Sequence, residues 1–216
     1  MKNMSRKHKK IITKPLTSIR DITDGKTLYD YTVQGPVSCT LVFTGINVHT
    51  ADITVSVTLN SPIATVDIIG IVLGNTNSII HFHTRQIHKA PLTTSNLIVK
   101  SVLINHATFV YDGNIRVEKK AQKTDAYQRN ENLFIDTTAH AESHPTLEIL
   151  ANDVRCTHGA ASGPIPEEEL LYLKSRGLSL NNAQELFIRG YVRSAMNIIR
   201  DEKIKYAVWK KLCSKL

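Results

Sequence analysis

Residues 52–73 read DITVSVTLNSPIATVDIIGIVL, and the fold depends on how this stretch is read. In its first eight residues Ile53, Val55, Val57 and Leu59 alternate with Thr54, Ser56 and Thr58, the period of a strand with one buried and one wet face. Asn60-Ser61-Pro62 interrupts the run, and a second strand-like segment covers 64–73 before the turn Gly74-Asn75. A strand with one apolar face needs a second layer to bury it.

Outward from this stretch, residues 26–158 keep the same character, with short segments rich in Val, Ile, Thr, Tyr and Phe separated by turn residues. Segments 27–33, 37–43, 78–83, 96–104, 107–111 and 115–118 continue the series. Few connections have the chemistry of a tight hairpin; Asp112-Gly113 is the clearest candidate. A sandwich, a barrel and a parallel β-helix all fit the pattern. Only the β-helix explains how strands are added without hairpins, although no strict repeat marks a regular solenoid.

After Gly163-Pro164-Ile165-Pro166 the pattern turns helical. Glu167, Glu168 and Glu169 occupy a first turn, where carboxylates face the positive end of the helix dipole, and the helix is expected to stop at Gly177 after Lys174 and Arg176. Ser179 is placed to cap a second helix carrying the apolar stripe Ala183, Leu186, Phe187, Tyr191, Ala195, Ile198 and Ile199. A third helix begins near Asp201. These stripes suit packing onto the strand body or a partner surface. The chain is thus divided into a basic arm at 1–25, a β core at 26–163 and a helical domain at 164–216.

Composition narrows the function classes. The 216 residues, 42% hydrophobic and 21% charged, describe a globular chain with room for a large core. The net charge of +8 is concentrated at the ends: residues 1–20 carry +7 and residues 201–216 carry +3, while 21–200 sum to −2. That is a charged tail rather than a charged groove, and no aromatic or arginine-rich recognition motif follows it, so no nucleic-acid role is expected. No uncharged apolar run approaches the ~20 residues of a membrane span, and no signal-like stretch opens the chain. A cytoplasmic protein without a membrane partner is expected. Cys39, Cys156 and Cys213 are odd in number and far apart, which fits a reducing compartment better than a disulfide framework.

Cys156 and His158 are the leading chemical pair. Two residues apart in an extended segment, their side chains share a face, and a thiolate with an imidazole suits iron or zinc. Two donors do not complete a site; the rest would come from elsewhere in the fold or from another subunit. His81 and His83, with His88 close behind, form a rival cluster that a wet strand face also explains. Asp125, Asp136, Glu142, Glu148 and Asp153 include no pair selected by spacing for acid/base work. Nucleotide-loop, zinc-protease and nucleophile-elbow motifs are missing, and no enzyme activity is expected.

Residues 113–192 resemble the SufB/SufD family of iron–sulfur cluster assembly proteins. The resemblance lies in KAQKTDAYQRNENLFID at 120–136, PTLEILANDVRCTHGAASGPI at 145–165 and LLYLKSRGLSLNNAQELFIRGYV at 170–192, and more weakly in 71–95. It implies a mainly β fold, a right-handed parallel β-helix followed by a small C-terminal α-helical domain. It also implies a scaffold that pairs through its β-helix with a second SufB/SufD-type subunit, as homo- or heterodimer, and docks a SufC-type ABC ATPase through its C-terminal helices. Tyr172, Arg176, Gly177 and Phe187 would take part in that docking. The CTHGA segment is similar to the SufD form rather than the HEA form of SufB, and makes Cys156 and His158 candidates for cluster, metal or interface residues where a transient cluster forms between subunits. Typical members are about twice as long and carry an N-terminal helical domain, where this sequence has its short basic arm. Cys39 and Cys213 align with no family motif and have no assigned role.

Overall fold

The computed structural model describes residues 6–214, and the first five residues of the expected basic arm lie outside them. Twelve strands wind into two parallel sheets, two strands to a coil. Coil one is β1 (Arg6–Ile12) and β2 (Leu16–Ile22), coil two β3 (Gly25–Val33) and β4 (Ser38–Ile46), and coil three β5 (Thr50–Leu59) and β6 (Thr65–Gly74). Coil four is β7 (Ile79–His88) and β8 (Thr94–Leu103), coil five β9 (Thr108–Val117) and β10 (Thr124–Phe134), and coil six β11 (His140–Ile149) and β12 (Val154–Pro164). Odd strands form one sheet in the order β1-β3-β5-β7-β9-β11, and even strands form the other, so each strand pairs with the one a full coil away. This is a parallel β-solenoid. Three helices follow: α1 (Glu167–Ser175), α2 (Leu180–Ala195) and α3 (Glu202–Cys213).

The repeat is one of geometry rather than of letters. Thr50 pairs with Ile79 and Ile79 with Thr108 at equal steps along the chain, while Thr108 pairs with His140 after a longer step. Left-handed residues turn the corners: Asn47, Asn77 and Asn105 at one edge, and Ile63, Leu92 and Lys123 at the other, all with φ between 53° and 64°. A β-branched residue such as Ile63 is rare in that region, and here it turns the corner with its side chain mostly exposed.

Two expectations are corrected. Asp112-Gly113 is not a hairpin, because β9 runs straight through it with both residues paired to β7. The parallel partners a coil away supply the hydrogen bonds that a hairpin partner would have supplied. From Arg6 onward the basic arm is also strand, paired residue for residue from Arg6↔Thr27 to Ile12↔Val33. Its lysines are exposed to solvent, and His8 stacks on Tyr29 with ring centroids 4.9 Å apart. Lysines on an edge strand are a common way to discourage further pairing.

The two sheets differ in what covers them. Strands β3, β5, β7 and β9 alternate buried positions with half-exposed or exposed ones, so their outer face is wet. In β6, every position from Val66 to Val72 is buried, because both of its faces are covered. Outward-facing Val42, Ile69, Ile71, Val102 and Leu133 meet Val192, Ala195 and Met196 of the α2 region and Val208 and Leu212 of α3, which makes the helices the second layer over the even-strand sheet. A charged pair sits in that seam. Lys100 Nζ donates to Glu131 at 2.6 Å and to Ser194 at 2.7 Å, and lies 4.2 Å from the centre of the Tyr191 ring. Burial alone would raise the Glu131 carboxyl, but bonds from Lys100 and Arg129 outweigh it and hold the group below its usual range.

The helix ends follow the sequence. Gly177 takes φ 90° just past α1, a conformation only glycine adopts freely. Ser179 Oγ accepts from the Asn182 amide at 3.3 Å, and the Asp201 carboxylate accepts from the Lys203 and Ile204 amides at 3.0 and 3.1 Å. Among the described residues no helix is long and apolar enough to cross a membrane.

Candidate functional site

In a parallel pair, directly matched residues face the same side of the sheet, so register determines where Cys156 and His158 point. Ala126 matches Cys156 and Gln128 matches His158. Ala126 and Gln128 are fully buried in the lumen, so their partners occupy the lumen side of coil six. Among the described residues no strand pairs with the outer edge of β11 or β12. The lumen therefore opens here, and Cys156 and His158 stand in its mouth beside unpaired strand edges.

Cys156 is half-buried against the cluster of Ile115, Val117, Ala126 and Ala151, whereas His158 is exposed. Burial pushes the Cys156 thiol up, and the neighbouring Asp125 carboxylate adds to the effect. Asp125 is itself held by an ion pair with Arg155. The thiol is therefore protonated at neutral pH until a cation approaches it. Among the described residues no group of three His, Cys, Asp or Glu side chains is arranged to hold a metal ion. The mouth supplies two donors of suitable chemistry and no complete shell.

Behind them lies a network that sequence reasoning missed. Ser101 Oγ donates to Asn132 Oδ1 at 2.8 Å, while Asn132 Nδ2 donates to Asn130 at 2.9 Å, Ser162 at 2.9 Å and Ser143 at 3.2 Å. Ser143 Oγ in turn donates to Asn130 Oδ1 at 2.5 Å. These bonds tie both strands of coil six to coil five. The signal was present in 120–136, where Gln128, Asn130 and Asn132 are polar at every second position, the lumen parity of β10.

The histidine cluster divides by parity. His81 and His83 lie on the outer face of β7 with ring centroids 6.3 Å apart, and His83 Nδ1 is 2.9 Å from Asp112. That face forms an open groove of about 560 Å³ lined by Lys26, Asp52, His83, Arg85, Asp112 and His144. His88 turns inward and is fully buried, so it does not join them. Its Nδ1 lies 2.8 Å from Thr93 Oγ1 and its Nε2 2.9 Å from Ser95 Oγ, and burial lowers its pKa to about 4.

The acidic residues have separate partners. Asp125 pairs with Arg155, Glu148 with Arg116, and Glu142 with His140 and His144. Asp136 accepts hydrogen bonds from Thr138 and from the Asn105 amide, which lower its pKa to about 2. Asp153 sits at a corner, where its amide donates to Gln122. Cys39 is buried in the core, where burial and Asp67 push its thiol to about 12, and Cys213 lies in the last turn of α3.

Of the four helical residues, three come together: Arg176 lies 5.2 Å over the exposed Tyr172 ring, next to Gly177. Phe187 instead packs, half-buried, onto the layer between α2 and the sheet. α1 buries no residue, and Leu171, Leu180 and Leu186 are about half exposed or more. A groove of about 500 Å³ between Glu167, Leu170, Leu171, Lys174 and Leu180 runs along this face.

Comparison with known proteins gives one family. The SUF system FeS cluster assembly SufBD core domain matches residues 37–191. The chain is 31% identical over 161 residues to the iron–sulfur cluster assembly protein SufD of Escherichia coli, covering 74% of this chain and 38% of that protein. It is 33% identical over 109 residues to a SufBD family iron–sulfur cluster assembly protein of Synechocystis, covering 50% of this chain and 24% of that one. It is 29% identical over 126 residues to the SufD of Plasmodium falciparum, covering 58% of this chain and 9% of that one. The chain spans well under half the length of these relatives.

Proposed function

Because this chain belongs to the SufBD family of the SUF iron–sulfur cluster assembly system, we propose that it is a non-catalytic scaffold subunit on which clusters form at a subunit interface. The observation that carries this reading is the mouth of the solenoid, where Cys156 and His158 lie two residues apart on one face of an edge strand that, among the described residues, is paired on one side only. Open edges of this kind accept strands from another chain. A second SufB/SufD-type subunit seated there would bring the missing donors to two that are already aligned. Iron and sulfide are cargo in this scheme, and ferrous iron approaching Cys156 would favour the thiolate that burial and Asp125 oppose.

The second part of the proposal is that a SufC-type ABC ATPase docks on α1 and the start of α2. Support comes from the division of labour in the helices. α2 and α3 bury their apolar faces on the sheet, while α1 leaves Leu171 and Tyr172 exposed beside the apolar groove. Exposed large apolar side chains grouped in this way mark an interaction surface. A cytoplasmic location belongs to the same proposal, since it would place the subunit with a reducing pool that keeps Cys156 free.

A second reading, an interaction module that kept the fold and lost cluster chemistry, is favoured by the protonated state of Cys156. Anaerobic reconstitution with iron and sulfide separates the two. A thiolate-dependent chromophore that weakens in Cys156→Ala and in His158→Ala supports the scaffold; an unchanged spectrum in both removes the proposed donors. For the ATPase, Leu171→Glu with Tyr172→Glu tests docking without uncovering the sheet, and full retention of co-purification would refute it.

A further inference from the structure

We propose that the coil-one end of the solenoid docks an acidic, extended segment of a partner protein, which adds to the sheet as a strand beside β1. Coil one lies at the opposite end of the lumen from Cys156 and His158, and among the described residues no strand pairs with the outer edge of β1 or β2. Register fixes where its side chains face. Arg6, His8 and Lys10 match Thr27, Tyr29 and Tyr31, and Arg20 matches Phe43. Those four partners are buried, so the basic side chains above them lie over the end of the lumen. Lys7 and Lys9 take the other parity and face outward, followed by the exposed Ile11. Both faces of this edge strand are therefore basic.

Little acid offsets this charge. Of the two carboxylates nearest along the chain, Asp21 is engaged by Lys211 and Thr44, and Asp24 accepts from the His49 and Thr50 amides at 2.7 and 3.0 Å. Asp30 is the register partner of Lys9 on the outer face. The lumen-side row has no acid in it: Arg6 donates to the neutral Thr23 hydroxyl at 3.0 Å, and His8 stacks on Tyr29.

A strand edge offers backbone donors and acceptors, and a basic one selects among the strands that could use them. A second copy presenting its own β1 would set lysine against lysine, which repels. An acidic strand would meet the backbone groups of β1 and place its carboxylates opposite a basic row. Slipping by one residue turns its side chains to the other face, which is basic too, so the pairing does not depend on one register. Backbone bonds supply the affinity and charge supplies the selection. A nucleic acid or a lipid surface would meet the charge and leave the strand edge unused, which is why a peptide fits better.

Fluorescence anisotropy with the full chain tests the edge. The probe is a fluorescein-labelled peptide of alternating Glu and Val, as long as the seven residues of β1, beside the same peptide with Gln for Glu and a third with its amides N-methylated. The expected result is saturable binding of the Glu peptide and none of the other two. Lys7→Glu with Lys9→Glu, both at exposed positions, should weaken that binding by ~10-fold, the scale of two ion pairs lost and reversed. No binding, equal binding of the Gln or N-methylated peptide, or unchanged affinity in the double variant would overturn the proposal. So would tighter binding of a labelled single-stranded oligonucleotide or of phosphatidylserine vesicles. Should the double variant fail to fold, the three peptides on wild-type protein still decide.

Discussion

In coils two and three the lumen is filled by Tyr29, Phe43, Ile53, Val55 and Ile68, whereas coils five and six set Tyr111, Gly113, Gln128, Asn130, Ser143 and His158 in the matching columns, while Phe109, Ile115 and Val117 of β9 stay apolar. The backbone and its pairing are the same throughout. Coil four is the changeover, with Ile80 and Phe82 at one end of β7 and Thr84, Gln86 and His88 at the other. A solenoid therefore does not dictate what fills it, provided each lumen group is apolar or hydrogen-bonded. The apolar coils supply the driving force for folding. The polar coils give part of it up, and in return they fix the arrangement of side chains behind the open mouth where Cys156 and His158 stand.

The strongest test of this contrast is truncation on its apolar side. Phe82→Ala, at a fully buried position, should cost ~3–5 kcal/mol of unfolding free energy, measured by chemical denaturation. A loss below ~1 kcal/mol, the scale of ordinary substitutions, would break the comparison.

Acid should act next, through His88. Its folded-state pKa of about 4 lies below the ordinary 6.5, so the unfolded chain binds the proton more readily. The stabilisation is complete above pH 6.5 and is lost as pH falls toward 4, at a cost of ~3 kcal/mol if the protein stays folded and the ring stays buried. Unfolding at a series of pH values across that window would reveal it. The depressed carboxylates Glu131 and Asp136 act lower, as pH falls below the usual carboxylate range. Flat stability across the histidine window would show that the polar lumen solvates a charged ring.

Gly113→Ala should cost ~1–3 kcal/mol by overpacking, where glycine to alanine inside an open strand would be favourable. Denaturation midpoints of the variant against wild type check the sign. Smallest of all, Cys156→Ala in the mouth should change stability by less than ~1 kcal/mol. In native protein a thiol reagent should modify Cys156 well before the buried Cys39. Equal rates would mean that the mouth is no more open than the core.

Much of the architecture was legible because period and burial agree. The alternation in 52–59 marked a one-faced strand, and Ser179, Gly177 and Asp201 marked helix ends that the structure keeps. Coil one escaped because Arg6, Lys7, Lys9 and Lys10 contribute no apolar alternation; its strands are held by backbone pairing to coil two. The repeat was hidden because coils share corner geometry rather than residues, with Pro62-Ile63 and Pro91-Leu92 its clearest verbal echo. Asp112-Gly113 misled because a turn-forming pair within a strand cannot be told from a hairpin until its neighbours a coil away are known. Cys156 and His158 were legible as a pair on one face. That the face is a lumen mouth, and that Asn130 and Asn132 stand behind it, depends on contacts between residues a full coil apart along the chain.

The perimeter of the solenoid varies: the step from Thr108 to His140 is longer than the step from Thr50 to Ile79, while the strands above and below remain matched. Extra residues are absorbed where the chain rounds an edge and leave the ladder undisturbed. The bend between β10 and β11, anchored by Asp136, is therefore a natural place to graft a reporter peptide or fluorophore. A label there would follow assembly at the nearby mouth without changing the residues that line it.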